Sequence, residues 1–199
     1  MAKTNYIELP SGLRIPILHE DRATLAIDKP TGWMLVPLDW KQTRRNLQAE
    51  IEASLLARDF WARCRNLKFL RYVHRIDAET TGVLLFVKSP GATKVYSDLF
   101  EQRTVEKLYL AVVRGIPRAE KWTCRLPLAS DPHYRGRVVV DQREGKEAIT
   151  EFRVLETRQV GGRNAALIEA HPLTGRSHQI RVHLAESGHA VAGAGHRAR

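Results

Sequence analysis

Three stretches of this chain hold side chains capable of chemistry. In Tyr72-Val73-His74-Arg75-Ile76-Asp77-Ala78-Glu79-Thr80-Thr81-Gly82, an imidazole, a guanidinium and a carboxylate crowd into a polar run that ends in glycine. The run leads directly into Val83-Leu84-Leu85-Phe86-Val87, which is short, β-branched and aromatic, and reads as a buried strand. Loops anchored on rigid sheets are where reactive groups tend to be displayed, so Asp77 is a candidate. The plainer reading of Asp77 is a local ion pair with Arg75 or an Asx-turn. The second stretch is Leu173-Thr174-Gly175-Arg176-Ser177-His178-Gln179-Ile180-Arg181-Val182-His183-Leu184. Gly175 permits a tight turn, and Arg176 sits at the mouth of a helix start, a good place for a phosphate or carboxylate. His178 and Arg181 lie on one helix face at i, i+3. The spacings of His178, His183 and His189 do not align ligands on one face, and no His-Glu-x-x-His pattern occurs, so no metal site is expected. A metal-dependent nuclease would rest on that histidine cluster alone. In the third stretch, Glu106-Lys107-Leu108-Tyr109-Leu110-Ala111, Tyr109 is either a core aromatic whose hydroxyl reaches the surface or a stacking platform for a base.

The elements that position these residues follow from periodicity and punctuation. Leu25-Ala26-Ile27 reads as a strand entering the turn Asp28-Lys29-Pro30-Thr31-Gly32. Leu47, Ile51, Leu55 and Ala62 recur at near-helical spacing, which predicts an amphipathic helix over about 43–62. A second helix is expected from Pro90 to about Arg103, with Val95, Leu99 and Phe100 on its apolar face. Strands are expected over 108–113, 137–141, 148–156 and 165–170, the middle two joined by the turn Arg143-Glu144-Gly145-Lys146. Ser177 is the expected N-cap of a last helix that runs through Ile180 and Leu184 and stops at Gly188. Many strands with few helices indicate an α+β fold with a sizeable mixed or antiparallel sheet.

Composition limits the partners. The 199 residues carry 32 Lys and Arg against 22 Asp and Glu, a formal net charge of +10, with 43% hydrophobic residues. Such a chain can bury a core, and the apolar content argues against wholesale disorder. Arg outnumbers Lys 23 to 9, and its planar fork suits phosphate and stacks on bases. Between Lys41 and Arg75 nine basic residues, Arg44, Arg45 and Arg58 among them, face three acidic ones. That stripe is either a solvated helix face or a polyanion contact. The two cysteines, Cys64 and Cys124, fit neither a disulfide framework nor a zinc ribbon. The longest apolar run, Val83 to Val87, falls far short of the roughly 20 residues that span a bilayer, and no apolar run follows Met1-Ala2-Lys3-Thr4-Asn5. A soluble protein of a reducing compartment is expected, built as one domain because no linker stands out.

At the three reactive stretches the sequence resembles the RluA-type pseudouridine synthases. His74-Arg75-Ile76-Asp77-x-x-Thr80-Thr81-Gly82 is similar to that family's His-Arg-Leu-Asp loop, with Ile in place of Leu. Phe100 through Gly115 resembles the family segment with Phe, Arg, Lys-x-Tyr and a closing Gly, and Thr174-Gly175-Arg176-x-His178-Gln179-Ile180-Arg181-x-His183 resembles its second signature. Asp28-Lys29-Pro30-x-Gly32 and Gly145-Lys146-Glu147-Ala148 fit minor motifs, and the likeness covers about residues 17–193. The resemblance implies a single catalytic domain over 1–199, built on a long mixed sheet with a central cleft. It implies isomerisation of uridine in ribosomal or transfer RNA to pseudouridine, without metal or organic cofactor; a cytoplasmic protein is expected, with a monomer the default for an oligomeric state that the sequence leaves open. Asp77 would be the nucleophile, Arg176 its cationic partner and Tyr109 the stacking and proton-accepting residue. Arg75 would fill the gap left by an extruded base. His74, His178, Arg181 and the stripe residues Arg44, Arg45 and Arg58 would contact RNA. Against the family pattern, a separate N-terminal RNA-binding domain and the final strands are expected to be missing, the segment after Gly188-His189 having Ala where Pro and Asp are usual. The alternative is a non-enzymatic RNA-binding protein on the same scaffold.

Overall fold

A computed structural model of the chain describes residues 2–35 and 45–193. They form two compact units, Met1–Thr104 and Val105–Arg199.

The first unit contains, in order, strands β1 (Tyr6–Glu8), β2 (Arg14–Glu20) and β3 (Thr24–Lys29), helices α1 (Leu47–Ala57) and α2 (Phe60–Arg63), strands β4 (Arg71–Tyr72) and β5 (Gly82–Val87), and helix α3 (Pro90–Glu101). Its five-stranded sheet runs β1-β2-β3-β5-β4, antiparallel at every pairing. Ile7, Ile15, Leu25, Ile27, Leu84 and Phe86 pack against Leu47, Ile51 and Trp61 of the two helices, which gives the sheet one dry face. Val83 remains 61% exposed, so β5 is amphipathic rather than buried on both sides. The helix expected over 43–62 is broken. α1 is capped at its start by Asn46, whose side chain accepts from the Ala49 amide, and it ends at Arg58 in a left-handed conformation. The chain turns there because buried Ser54 takes a hydrogen bond from Trp61 Nε1 (2.7 Å) and gives one to the Asp59 carboxylate. α3 is capped by Ser89, whose side chain accepts from the Ala92 amide, with Pro90 behind it, but none of its residues is buried, and Val95 and Leu99, expected on its apolar face, are exposed. Glu20 ties this unit together. Burial alone would raise its pKa, yet hydrogen bonds from Lys88, Arg65 and Lys3 outweigh that and draw it down to about 2.

The second unit contains strands β6 (Tyr109–Arg114), β7 (Lys121–Cys124), β8 (Leu128–Ser130), β9 (Val138–Val140), β10 (Thr150–Val160) and β11 (Arg163–Pro172), then helix α4 (Gln179–Glu186). Its main sheet runs β6-β11-β10-β7, and β8 and β9 make a separate ribbon, again wholly antiparallel. The long β10–β11 hairpin closes through Gly161 and Gly162, with φ of 58° and 74°, the left-handed pair that matches strand twist. α4 uses both its sides: Leu184 packs on Phe152 and Ile168 of the main sheet, and Val182 on Leu128 and Ala148.

The α+β class, with antiparallel strands and flanking helices, is as expected, and among the described residues the strands fall into antiparallel sheets of five, four and two strands. The 143–146 turn exists, with the Asp141 carboxylate accepting from the Arg143 and Glu144 amides, but it does not join a hairpin. Lys146 pairs with Leu128 instead, so the strands on either side of the turn enter different sheets.

Candidate active site

Asp77 lies in the loop between β4 and β5, and the end of β3 holds that loop in place. Lys29, fully buried, donates from Nζ to the carbonyls of Pro30 (2.9 Å), Ala78 (2.8 Å) and Thr80 (2.9 Å). Gly32 N donates to the same Ala78 carbonyl at 2.8 Å, and Thr31 Oγ1 donates to the Glu79 carbonyl at 3.1 Å. The backbone on both sides of Asp77 is therefore fixed by a short, sequence-distant segment. Burial pushes the Lys29 ammonium down to about 8, with the Glu79 and Asp77 carboxylates acting in the opposite direction. The Asp-Lys-Pro-x-Gly motif thus supplies the support for the carboxylate loop.

The neighbouring residues divide by role. His74 is built into the fold: its Nε2 accepts from the Leu85 amide at 3.0 Å, and its ring stacks on Phe100 at 4.5 Å and 13°. Arg75 is exposed, and Asp77 half-buried. Arg45 passes over Gly32; a Cβ there would come within 2.9 Å of its Nη1, and this close approach is what the glycine allows. An exposed guanidinium therefore stands beside the Asp77 loop. Arg58 is exposed at the end of α1, and Arg44 lies outside the described residues. The basic stripe is not uniform. The Arg65 side chain is almost wholly buried, bonded to Glu20 at 2.9 Å and to the Trp61 carbonyl at 3.0 Å, so it is a structural cation rather than a phosphate contact.

In the second unit, Tyr109 opens β6 opposite Ala170 of β11 and packs half-buried at the margin of the core. Arg176 lies in the loop between β11 and α4. Its Nε donates to the Glu147 carbonyl at 2.9 Å, and its amide donates to Gln179 Oε1 at 2.9 Å. Lys107 reaches the Thr174 carbonyl at 3.4 Å, which links the segment before Tyr109 to the Arg176 loop. The Gly-Lys-Glu-Ala motif meets the second signature through Glu147. The expected Ser177 cap is not formed: His178 is the N-cap, left-handed at φ 53° and without a side-chain capping bond, and α4 starts at Gln179. Gln179 turns its amide back toward Arg176, which displaces the start of the helix by one residue. His178 and Arg181 are half-buried. Both nitrogens of His183 are engaged, with Thr150 Oγ1 at 2.9 Å and the Leu126 carbonyl at 3.0 Å. Among the described residues no group of three or more His, Cys, Asp or Glu is placed to hold a metal ion, and no helix is long and apolar enough to cross a membrane.

The first unit thus carries Asp77, Arg75, His74 and Arg45, and the second carries Tyr109 and Arg176. Reading the sequence for reactive types missed Lys29, Thr150, Thr174 and Gln179. The available signal was a lysine closing an apolar strand just before Pro-x-Gly, and polar residues inside a signature whose helix must bury one face.

A family model described as RNA pseudouridylate synthase matches residues 23–186. The chain belongs to that family, in its RluA-type branch. Dual-specificity RNA pseudouridine synthase RluA of Vibrio cholerae is 31% identical over 195 residues, covering 97% of this chain and 72% of the relative. Ribosomal large subunit pseudouridine synthase C of Haemophilus ducreyi is 36% identical over 177 residues, 88% of this chain and 51% of the relative. The chain spans about half the length of several curated relatives it matches. Among solved structures, human RNA pseudouridylate synthase domain containing 4 aligns with a TM-score of 0.69 at 26% identity, over 89% of this chain and 66% of that one.

Proposed function

We propose that the chain is an RNA pseudouridine synthase, isomerising uridine in ribosomal or transfer RNA, with the two units working as one catalytic domain in the cytoplasm. The observation that carries the reading is Asp77 on a backbone held by Lys29 and Gly32, within a family match that spans residues 23–186. In this reaction the bond from ribose C1′ to uracil N1 breaks, the base turns, and C1′ bonds to C5. C5 loses its proton and N1 ends with one, so substrate and product are isomers and nothing is oxidised or reduced. Asp77 is the nucleophile, attacking the anomeric carbon or the uracil ring; both routes start from an ionised carboxylate. Arg176 offsets the cost of keeping that carboxylate charged away from bulk water. Tyr109 stacks on the uracil and takes the C5 proton. A uridine in folded RNA must leave its stack, at about a few kcal/mol, and exposed Arg75, two residues before the nucleophile, fills the gap. Arg44, Arg45 and Arg58 bind phosphates, with His178 and Arg181 as further RNA contacts, and His74 supports the loop from within.

Tritium release from RNA labelled at uracil C5 reports the reaction directly. Purified wild-type chain should release tritium, and Asp77→Asn should abolish release while RNA binding persists. Turnover that survives Asp77→Asn would remove Asp77 from the mechanism. Salt-dependent RNA binding without any release from wild-type protein would favour a non-enzymatic RNA-binding protein.

A further inference from the structure

We infer that Gln179 positions Arg176, as the centre of a buried polar relay running from Thr174 through Thr150 to His183. The inference rests on the role proposed for Arg176. All four relay residues are buried, none more than 4% exposed. Gln179 Oε1 accepts from the Arg176 amide (2.9 Å) and from Thr174 Oγ1 (2.8 Å), while its Nε2 donates to the Ile149 carbonyl (2.9 Å) and Thr150 Oγ1 (3.0 Å). The side-chain amide therefore uses its full capacity of two donations and two acceptances. Its orientation is dictated, since a flipped amide would aim NH2 at the Arg176 N–H and oxygen at the Ile149 carbonyl.

The remaining protons follow in one consistent direction. Thr174 Oγ1 accepts from the Ile149 amide at 2.9 Å and gives its own proton to Gln179. Thr150 Oγ1 accepts from Gln179 and gives its proton to His183 Nδ1 at 2.9 Å. His183 then carries its proton on Nε2, toward the Leu126 carbonyl at 3.0 Å, and is neutral. Burial, which lowers the pKa of His183, favours the same form. Buried networks with every member satisfied rigidify their surroundings, and this one ends on the main-chain amide of Arg176, the residue given a role in the proposed chemistry. Gly175 precedes that amide and left-handed His178 follows it. A regular ladder does not hold the loop there; a side chain three residues further along does.

The test compares Gln179→Met, Thr174→Val and Thr174→Ser with wild type by tritium release, each at temperatures well below its own melting transition. Gln179→Met and Thr174→Val should lower kcat about 10- to 100-fold with KM for RNA within about twofold, the size of effect expected from misplacing a catalytic group by roughly an ångström. Thr174→Ser, which keeps the hydroxyl, should restore kcat to within about threefold of wild type. If Gln179→Met does not fold, the Val and Ser pair at Thr174 carries the comparison alone. Folded variants that turn over like wild type, or that raise KM and leave kcat alone, overturn the inference. Arg176→Ala is the control for the reading beneath it: wild-type turnover in that variant would remove Arg176 from the chemistry, whatever the Gln179 variants do.

Discussion

Lys29 shows how a residue distant in sequence can hold the Asp77 loop in place. Its ammonium serves three carbonyls, two of them on the Asp77 loop. Lys29→Met keeps the bulk and strands the Pro30 and Thr80 carbonyls, Ala78 keeping the Gly32 amide, at about 1–3 kcal/mol for each group left without a partner, less what is recovered by no longer burying a charge. A net loss of about 2 kcal/mol in urea unfolding is expected, with a larger proportional loss of kcat. The pH dependence has two opposite signs. The Lys29 pKa of about 8 in the folded protein lies below its ordinary 10.5, so the unfolded chain holds this proton more tightly. The contribution of Lys29 to stability therefore rises between pH 8 and 10.5. Over the same range the neutral amine keeps two N–H groups for three carbonyls, and the loop loses a tie. Wild-type kcat should fall as pH passes about 8 while the urea midpoint shows no matching fall attributable to this group; parallel losses of both would contradict the clamp. Asp77, Arg176 and Tyr109 were singled out in the sequence by the motifs that carry the family resemblance, and their roles are part of the proposed function. The role of Lys29 was not legible there, because it is fixed by where its tip ends, on a carbonyl 49 positions away.

Among the elements, periodicity located strands and helices well and pairing poorly. β3, β5, β6 and β11 fall where alternation and punctuation put them. The break at Arg58 was not legible, because Ser54, Asp59 and Trp61 settle it by side-chain bonds that the helical spacing of Leu47, Ile51, Leu55 and Ala62 does not reveal. Nor was the switch after β9, where the 143–146 turn resembles a hairpin until Lys146 pairs with Leu128. That turn depends on Gly145 for space. A Cβ there would lie 2.1 Å from the Asp141 carbonyl oxygen and 2.9 Å from the Pro127 carbonyl carbon, both backbone atoms that cannot swing aside. Gly145→Ala should destabilise the second unit by about 3 kcal/mol, the upper range for overpacking, as read by thermal unfolding. It should also lower kcat, because Glu147, two residues on, supplies the carbonyl that takes Arg176 Nε. Wild-type stability in this variant would show that the turn can open without cost.

For the whole molecule, composition foretold a basic protein with a core, and the formal charge of +10 remains the best guide to its partner. Burial decides which of those charges can act. Arg65 is committed to Glu20 and the Trp61 carbonyl, whereas Arg45 and Arg58 are exposed. Replacing Arg44, Arg45 and Arg58 together with Ala should weaken RNA binding and flatten the dependence of log K on log salt by about 2 for three lost contacts to single-stranded RNA. Arg176→Ala should leave that slope nearly unchanged and remove turnover. Equal slopes for wild type and the triple variant, measured by fluorescence anisotropy across a salt series, would move phosphate binding elsewhere on the surface.

Because the Arg176 amide is caught by a side chain rooted in the interior, its loop is tied to the core although it carries no ladder of its own. Outward-facing side chains on such an anchored backbone can be exchanged without shifting where the guanidinium begins; on the function proposed above, that leaves the choice of RNA free to drift over evolutionary time while the proposed chemistry stays in place.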